Sequence, residues 1–445
     1  MANIYNFSSN ALLKRIGLSP GKKLLVFLLS LVVVTIPMGY VYNSISIIFF
    51  VLYSILAAHK SNYSARVALL LPVLLFLLMV ISLSWSINFK ESLKALGKES
   101  ALIFIPVAFY LNRSLAKRSV SDVLKNYGIC MCLFAVYFVI RAIIRYADTG
   151  NIEVFFYHEL ATQKLNAIYL SVLLSLALFV FIDKKDKTFW GYGASLFLLV
   201  VIFLLSSKNI IIIDVLLIMC YYLFYSGLSR KTIIATVGVI SIMVLGLGYY
   251  GKIYDRLQHE MVAPEQVDTS DGIHHVTIAE AWQRPKFAAN YYFNGTAFRA
   301  YQIRIFTEML REEPIFFTGY GINASEIKVI NKGIEHSLDH KNGENESYNQ
   351  LNFHNQYIEA FADLGIFGLV LVLTMALLNL INGIRHKYFI HIAFAVLMIS
   401  LFLTESFLWR QRGVVFFTVF YCLFNDLRPF TSRIPTISRN REQAI

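Results

Sequence analysis

Long apolar runs, separated by short polar segments, follow one another along most of this chain. Ala, Val, Ile, Leu, Met, Phe, Trp, Tyr and Cys make up 57% of the 445 residues, and only 15% are charged. A soluble domain is about 25% charged and could not bury so much apolar surface. A membrane-spanning helix needs about 20 apolar residues. The sequence therefore predicts an all-α, polytopic integral membrane protein with about twelve transmembrane helices.

The predicted spans lie on either side of one long polar segment. Helices 1–9 fall within residues 1–250, a large and partly helical outer loop within 251–361, helices 10–12 within 362–425, and a basic tail within 426–445. The twelve spans are predicted near 23–42, 44–58, 66–86, 96–111, 123–145, 165–182, 189–205, 209–226, 232–250, 362–383, 388–407 and 412–425.

Basic residues accumulate on one side of these spans. Placing the N-terminus inside puts most Lys and Arg of the short connections on the cytoplasmic side, as cytoplasmic loops require. Both termini are then cytoplasmic. The outer loop 251–361 holds 15 acidic and 10 basic residues, so the overall net charge of +12 comes from the inner segments. We therefore expect contact with membrane lipids and no nucleic acid.

The outer loop contains side chains suited to an anion at the membrane edge. Its first half, up to Lys286, looks irregular. A helix that ends before Pro314 is then predicted from apolar residues at helical spacing: Ala300, Ile303, Phe306 and Leu310. Arg299 and Arg304 lie on that helix and could bind phosphate through paired donors. His354 stands at the predicted start of the tenth span, where a helix N-terminus favours anions and a neutral imidazole. The alternative is that these are surface and capping residues.

Four motifs in the second half of the chain follow the order and spacing of a known family. They are NGTAFR ending at Arg299, LREEP ending at Pro314, TGYG ending at Gly321, and FHNQYIEAFADLGIFG, which begins at Phe353 and runs into a span. With this series the chain, over roughly residues 190–425, resembles the bacterial O-antigen ligase and O-antigen polymerase superfamily. Its members are polytopic membrane glycosyltransferases with a large periplasmic loop.

The resemblance implies a metal-independent, inverting glycosyltransferase of the bacterial inner (plasma) membrane that needs no cofactor. Its donor would be an undecaprenyl-diphosphate-linked glycan and its acceptor the lipid A core or another glycan chain. Arg299 and His354 would be catalytic, with His354 as the general base. The family's further basic residue, usually an Arg after a Ser, matches Lys208, which keeps the charge but loses the paired donors.

Charged residues near or within other spans have two interpretations each. Arg410 and Arg412 lie at the outer end of the eleventh span, where they could bind the diphosphate or anchor the interface. Asp214 and Glu405 lie within predicted spans, where a carboxylate is costly unless it is paired. They suggest a proton relay in a transporter, or helix pairing, for Asp214 with Lys98.

The remaining histidines predict no metal site. His336 and His340 are four residues apart, and His274 and His275 are adjacent, but no HExxH string is present. We expect both pairs to lie in solvated loops and His158 to lie outside the site.

Three classes of function remain open at this point. Ligase and polymerase would share the residues above. A transporter or flippase of lipid-linked sugars would place its site near the midplane, usually in broken helices of matched half-repeats. A non-enzymatic assembly subunit would not need the Arg and His residues.

Overall fold

The computed structural model describes residues 21–58, 66–112, 115–162, 165–183, 188–227, 238, 273–338 and 347–427. These residues are mostly helical, as predicted for an all-α protein. The predicted ninth span, apart from residue 238, and the basic tail from residue 428 lie outside the described residues, as does His340.

Ten helices precede the outer loop in the described part of the chain. They are α1 (Lys22–Val34), α2 (Tyr40–Leu56), α3 (Val67–Ser82), α4 (Phe89–Glu99), α5 (Ala101–Leu111), α6 (Lys117–Thr149), α7 (Tyr157–Leu160), α8 (Ala167–Ile182), α9 (Phe189–Leu204) and α10 (Lys208–Phe224). The first predicted span runs to residue 42, but α1 ends at Val34. Pro37 and Gly39 follow it, and neither residue favours a continuing helix.

The outer loop forms a small domain, which we call the loop domain and define as the described residues 273–338 and 347–355. It contains β1 (His274–Val276), α11 (Ile278–Gln283), β2 (Tyr291–Phe293), α12 (Gly295–Glu312) and α13 (Glu326–Glu335), and β1 pairs in parallel with β2. The predicted helix before Pro314 is present as α12. The expectation of an irregular first half is wrong from His274 onward, because strands of three residues are too short to give a hydrophobic period.

The loop domain has an apolar core separate from that of the other described helices. Aromatic side chains from β2 and the segment before it, from α12 and from the end of the loop domain fill much of this core: Phe287, Phe293, Phe298, Tyr301, Phe306 and Phe353. This core fixes α12, and therefore Arg299, relative to the rest of the loop.

In the described residues after the loop domain, the chain forms three α-helices: α14 (Gln356–Arg385), α15 (Phe389–Phe402) and α16 (Gln411–Asn425). α14 begins six residues before the predicted tenth span. Of the described helices, α6 and α14 are long and apolar enough to cross a membrane, and several others are apolar but shorter. The number of twelve spans stays a prediction.

The TGYG motif docks the loop domain onto a break in α14. Gly365 has φ 66° and ψ −166°, which interrupts the helix. The Tyr320 N–H donates to the Ala362 carbonyl at 2.9 Å. A Cβ added at Gly365 would lie 2.2 Å from the carbonyl oxygen of Phe317. The backbones therefore meet at a distance that only glycine permits.

Candidate active site

The short segment after α15, Leu403–Glu405, is where three distant parts of the chain meet. Arg299 on α12 donates from Nε and Nη2 to the Thr404 carbonyl at 3.1 and 2.9 Å. Its Nη1 donates to the Gly295 carbonyl, one turn back, at 2.9 Å. The last carbonyls of a helix lack partners within the helix. Arg299 thus donates to a carbonyl just beyond α15, and these bonds hold its side chain in one orientation.

Those contacts leave part of the guanidinium available. Arginine has five N–H donors, and the three bonds above use three of them. Arg299 forms no salt bridge with any residue in the described part of the chain. It therefore brings a positive charge and two further donors to this point.

His354 is fixed beside the same segment by Glu405. Its Nδ1 lies 3.2 Å from Glu405 Oε2, and the two side chains are 27% and 9% exposed. His354 has φ 47° and lies just before Asn355, the N-cap of α14. The Asn355 side chain accepts from the N–H groups of Tyr357 and Ile358. The sequence predicts that free N–H groups at the start of this helix act on His354. Because Asn355 accepts hydrogen bonds from two of those groups, this effect is reduced.

Lys208 enters the site from the start of α10. The next residue, Asn209, donates from Nδ2 to Thr404 Oγ1 at 2.8 Å and to the Ser400 carbonyl at 3.1 Å. Ser400 Oγ donates back to Asn209 Oδ1 at 2.7 Å. These bonds fix the start of α10 against the end of α15, so Lys208 and Arg299 lie on the same side of the molecule.

A cavity of about 710 Å³, here called the Arg299 cavity, lies between these elements. Its size is within the usual range for small-ligand sites. The described residues that line it include two cations and no carboxylate: Tyr157, Ile168, Ser206, Ser207, Lys208, Asn209, Ile210, His275, Tyr292, Asn294, Gly295, Thr296, Arg299, Leu401 and Thr404. His354 lies next to this lining, beyond Thr404 and Glu405. The charge of the cavity suits an anion.

Two of the other predicted phosphate ligands lie elsewhere. Arg304 donates from Nε to Glu308 at 2.7 Å and from Nη1 to the Arg284 carbonyl at 2.7 Å, inside the loop domain. Arg412 is buried and donates from Nε to the Ile36 carbonyl at 2.9 Å. Arg304 therefore joins α12 to α11, and Arg412 joins α16 to the end of α1.

Arg410 remains exposed at the edge of the site. Its Cζ lies 5.9 Å from the ring centroid of Tyr169. The Tyr169 ring stacks on Phe407 at 4.6 Å between centroids. Arg410 is thus five residues beyond Glu405, on a surface supported by aromatic rings, and it is not among the described residues that line the Arg299 cavity.

The structure gives Asp214 a partner other than the expected one. Asp214 accepts from Ser175 Oγ at 2.6 Å, whereas Lys98, its expected partner, lies over the Trp409 ring at 4.9 Å. His158 is exposed and is not among the residues that line the Arg299 cavity, although its neighbour Tyr157 is.

The expectation that His336 is solvated is wrong. It is buried, and the Tyr301 hydroxyl lies 3.0 Å from Nδ1. Burial lowers the pKa of His336, and the nearby Glu308 carboxylate opposes this effect in part. Burial likewise raises the pKa of Tyr301, so this hydroxyl remains a donor. His274 is half-buried beside Glu280, at 3.0 Å from Oε1.

The sequence did not indicate several residues of the site. The sequence suggests only a relay or pairing role for Glu405, and it gives no indication that His275, Tyr292 or Asn209 belong to the site. A carboxylate at the outer end of a predicted span, near a basic pair, was the available signal for Glu405. In the described residues, no group of three or more His, Cys, Asp or Glu could hold a metal ion. Metal independence stays a prediction.

The family model described as O-antigen ligase matches residues 193–373, which is less than half of the chain. The matched region runs from α9 into α14 and includes Lys208, Arg299, Arg304 and His354. Glu405, Arg410 and Arg412 follow it. The chain has no match among curated proteins.

Proposed function

The chain belongs to the O-antigen ligase superfamily, and we propose that it transfers a glycan from an undecaprenyl-diphosphate carrier to an acceptor hydroxyl. The proposed reaction takes place at the periplasmic face of the inner membrane. One observation supports this most strongly: Arg299, Lys208 and the His354–Glu405 pair meet around Thr404, beside a cavity lined by cations.

Arg299 and Lys208 would bind the diphosphate of the donor. As the bond between the glycan and the diphosphate breaks, its electron pair goes to the leaving diphosphate, and negative charge increases there. Fixed positive groups that already face this point stabilise the transition state without reorganisation. Arg299 is fixed by the Thr404 carbonyl. This arrangement performs a task that other transferases often give to a metal ion.

His354 would accept the proton of the acceptor hydroxyl. Glu405 binds Nδ1, which leaves Nε2 for the hydroxyl, as in catalytic triads where a carboxylate orients a histidine. The acceptor oxygen then attacks the sugar carbon on the face opposite the diphosphate, so the configuration inverts. A general base of this kind typically contributes about 10²–10⁴-fold in rate.

A transporter or flippase is the second candidate that the intramembrane carboxylates suggested. Glu405 pairs with His354, and Asp214 is bonded to Ser175. The cations of the Arg299 cavity lie at helix ends and in the loop domain. These positions favour glycan transfer at one face of the membrane over transport of a lipid-linked sugar through the helix bundle.

The test is a transfer assay with the full chain purified in detergent and given a lipid-diphosphate-linked glycan donor. The acceptors are lipid A core and a second lipid-linked glycan, supplied separately, so the product distinguishes ligase from polymerase. Excess EDTA should leave the rate unchanged. Absence of transfer to either acceptor by a well-folded protein, together with donor movement across a vesicle membrane, would support the transporter instead.

A further inference from the structure

A second cavity, distant from the site, is lined by three lysines. It measures about 510 Å³, and we call it the lysine cavity. Its lining combines Lys117, Lys125 and Lys387 with aromatic and aliphatic side chains: Leu124, Val180, Phe181, Tyr221, Tyr225, Tyr388, Phe389 and Ile390, together with Ser121 and Asp183. Three ammonium groups against one carboxylate make this cavity electropositive.

The lysine cavity lies at the opposite end of the helices that form the site. On α8, Ile168 lines the Arg299 cavity and Val180 lines the lysine cavity. On α15 the corresponding residues are Leu401 and Ile390. At 1.5 Å per residue, these separations are roughly 17–18 Å along each helix. The positive-inside bias predicts that the lysine end is cytoplasmic.

The three lysines are available for a ligand. Lys117, Lys125 and Lys387 are exposed, and none forms a salt bridge with a described residue. The Nζ of Lys117 lies 5.2 Å from the centroid of the Tyr388 ring, which orients it toward the cavity. Lys387 has φ 48° because it lies in the turn that ends α14, where the Tyr388 N–H donates to the Gly383 carbonyl at 3.1 Å. This turn fixes the backbone of Lys387 at the cavity.

Backbone groups add to the positive field. α6 begins at Lys117 and α15 begins at Phe389, and neither helix has an acidic residue in its first turn. Each helix N-terminus carries partial positive charge and free N–H groups. The apolar wall includes Tyr221 and Tyr225 at the end of α10, and their neighbours Leu223 and Phe224 are exposed apolar side chains. A soluble anion would gain nothing from that wall.

We propose that the lysine cavity binds the phosphate head group of an anionic phospholipid of the inner leaflet. The phosphodiester would contact Lys117, Lys125 and Lys387, and the acyl chains would follow the exposed apolar side chains of α10, Leu216, Leu223 and Phe224. Basic pockets between helices on the cytoplasmic side suit such head groups. This site is separate from the proposed transfer site and does not depend on the proposed function.

Native mass spectrometry of the full chain in detergent tests this proposal. Phosphatidylglycerol, phosphatidylcholine and glycerol phosphate are added separately to the unmodified chain and to the double variant Lys117→Gln/Lys387→Gln. The matched control is Arg118→Gln/Arg385→Gln, which removes two charges from adjacent exposed positions outside the cavity lining. Lys117→Arg/Lys387→Arg keeps the charge.

We expect phosphatidylglycerol to bind in preference to phosphatidylcholine. The double Gln variant lacks two of the basic residues that would attract the anionic head group. We therefore expect it to bind phosphatidylglycerol roughly 30-fold more weakly than the unmodified chain does. The control and the double Arg variant should keep the affinity of the unmodified chain. Equal binding by the double Gln variant and its control would overturn the proposal.

The unmodified chain alone also tests the source of the phosphate, so the proposal does not depend on folding of the variants. Glycerol phosphate should not displace phosphatidylglycerol. If it competes as well as the lipid does, the cavity is a site for a soluble phosphate, and the lipid assignment is wrong.

Discussion

The Thr404 carbonyl accepts two hydrogen bonds from Arg299, and the adjacent Glu405 carboxylate binds His354. Two residues of one short segment thus position the two side chains that the sequence singled out. The charge of Arg299 and the orientation of His354 are fixed by separate contacts. Their roles should therefore separate in experiments.

His354 and Glu405 should act on the chemical step. His354→Ala is expected to lower transfer by about 10²–10⁴-fold and to leave donor affinity nearly unchanged. Glu405→Gln keeps the size but loses the charge that supports a protonated imidazole, so transfer should fall by about 10²-fold or more. The matched control is Asp214→Asn, a buried carboxylate that is bonded to Ser175. Full activity in a well-folded His354→Ala variant would remove the proposed base.

Arg299 should act on donor binding as well as on the rate. Arg299→Ala is expected to weaken donor binding and to lower transfer by about 10²–10³-fold. Arg299→Lys should recover only part of both, because an ammonium cannot bind the Thr404 carbonyl and a phosphate through paired donors. Donor affinity and single-turnover rate are measured side by side. A Lys variant equal to the wild type in both would show that the charge alone is needed.

At the scale of elements, the docking of the TGYG motif on α14 determines how the loop domain sits above the spans. Gly365 has φ 66° and would bring a Cβ to 2.2 Å from the Phe317 carbonyl oxygen. Gly150 has the same φ of 66°, but nothing lies within 4 Å of an added Cβ. Gly365 has ψ −166°, a conformation essentially restricted to glycine, whereas Gly150 has ψ 2° and lies in the ordinary left-handed region. The two glycines therefore differ both in contact and in backbone strain.

Gly365→Ala should destabilise the protein far more than Gly150→Ala. A left-handed φ alone costs an alanine about 1–2 kcal/mol. At Gly365 the ψ of −166° adds to this strain, and the added Cβ also clashes with the Phe317 carbonyl oxygen. The measurement is the thermal unfolding of both variants in the same detergent. Equal unfolding temperatures would mean that the TGYG contact does not hold the loop domain in place.

Acid should weaken the loop domain through His336. Burial lowers the pKa of His336 from its usual 6.5. The unfolded chain therefore binds more protons than the folded chain below pH 6.5. The contribution of His336 to the free energy of unfolding is fully present above pH 6.5. It is lost as the pH falls toward the lower pKa of His336 in the folded chain.

Hydrogen exchange of α12 and α13, measured as a function of pH after correction for intrinsic rates, would detect this loss. His336→Gln should show a smaller decrease in protection between neutral and mildly acidic pH than the wild type does. An identical decrease in both would assign the acid sensitivity to other groups.

For the whole molecule, the sequence predicted what depends on local pattern. Apolar runs indicated the helices, Pro314 indicated the end of α12, and the motif series indicated the family match. Contacts between distant segments were not predictable from spacing. Arg299 and its partner Thr404 are 105 residues apart, and Arg304 resembles Arg299 in the sequence but pairs with Glu308. The three-residue strands and the burial of His336 also depend on tertiary packing, which cannot be predicted from local sequence patterns.

The orientation of the whole chain gives the last prediction. The Arg299 cavity and the lysine cavity lie at opposite ends of α8 and α15, so one must be periplasmic if the other is cytoplasmic. The basic bias predicts that the lysine end lies inside. Reporter fusions at Lys341 and Lys185 should then report outside and inside respectively, with Lys185 close in sequence to the end of α8. Alkaline phosphatase and a fluorescent protein serve as complementary reporters, because each is active on one side only. Inside signals at Lys341 would place the Arg299 cavity in the cytoplasm, where the proposed transfer to a periplasmic acceptor is not possible.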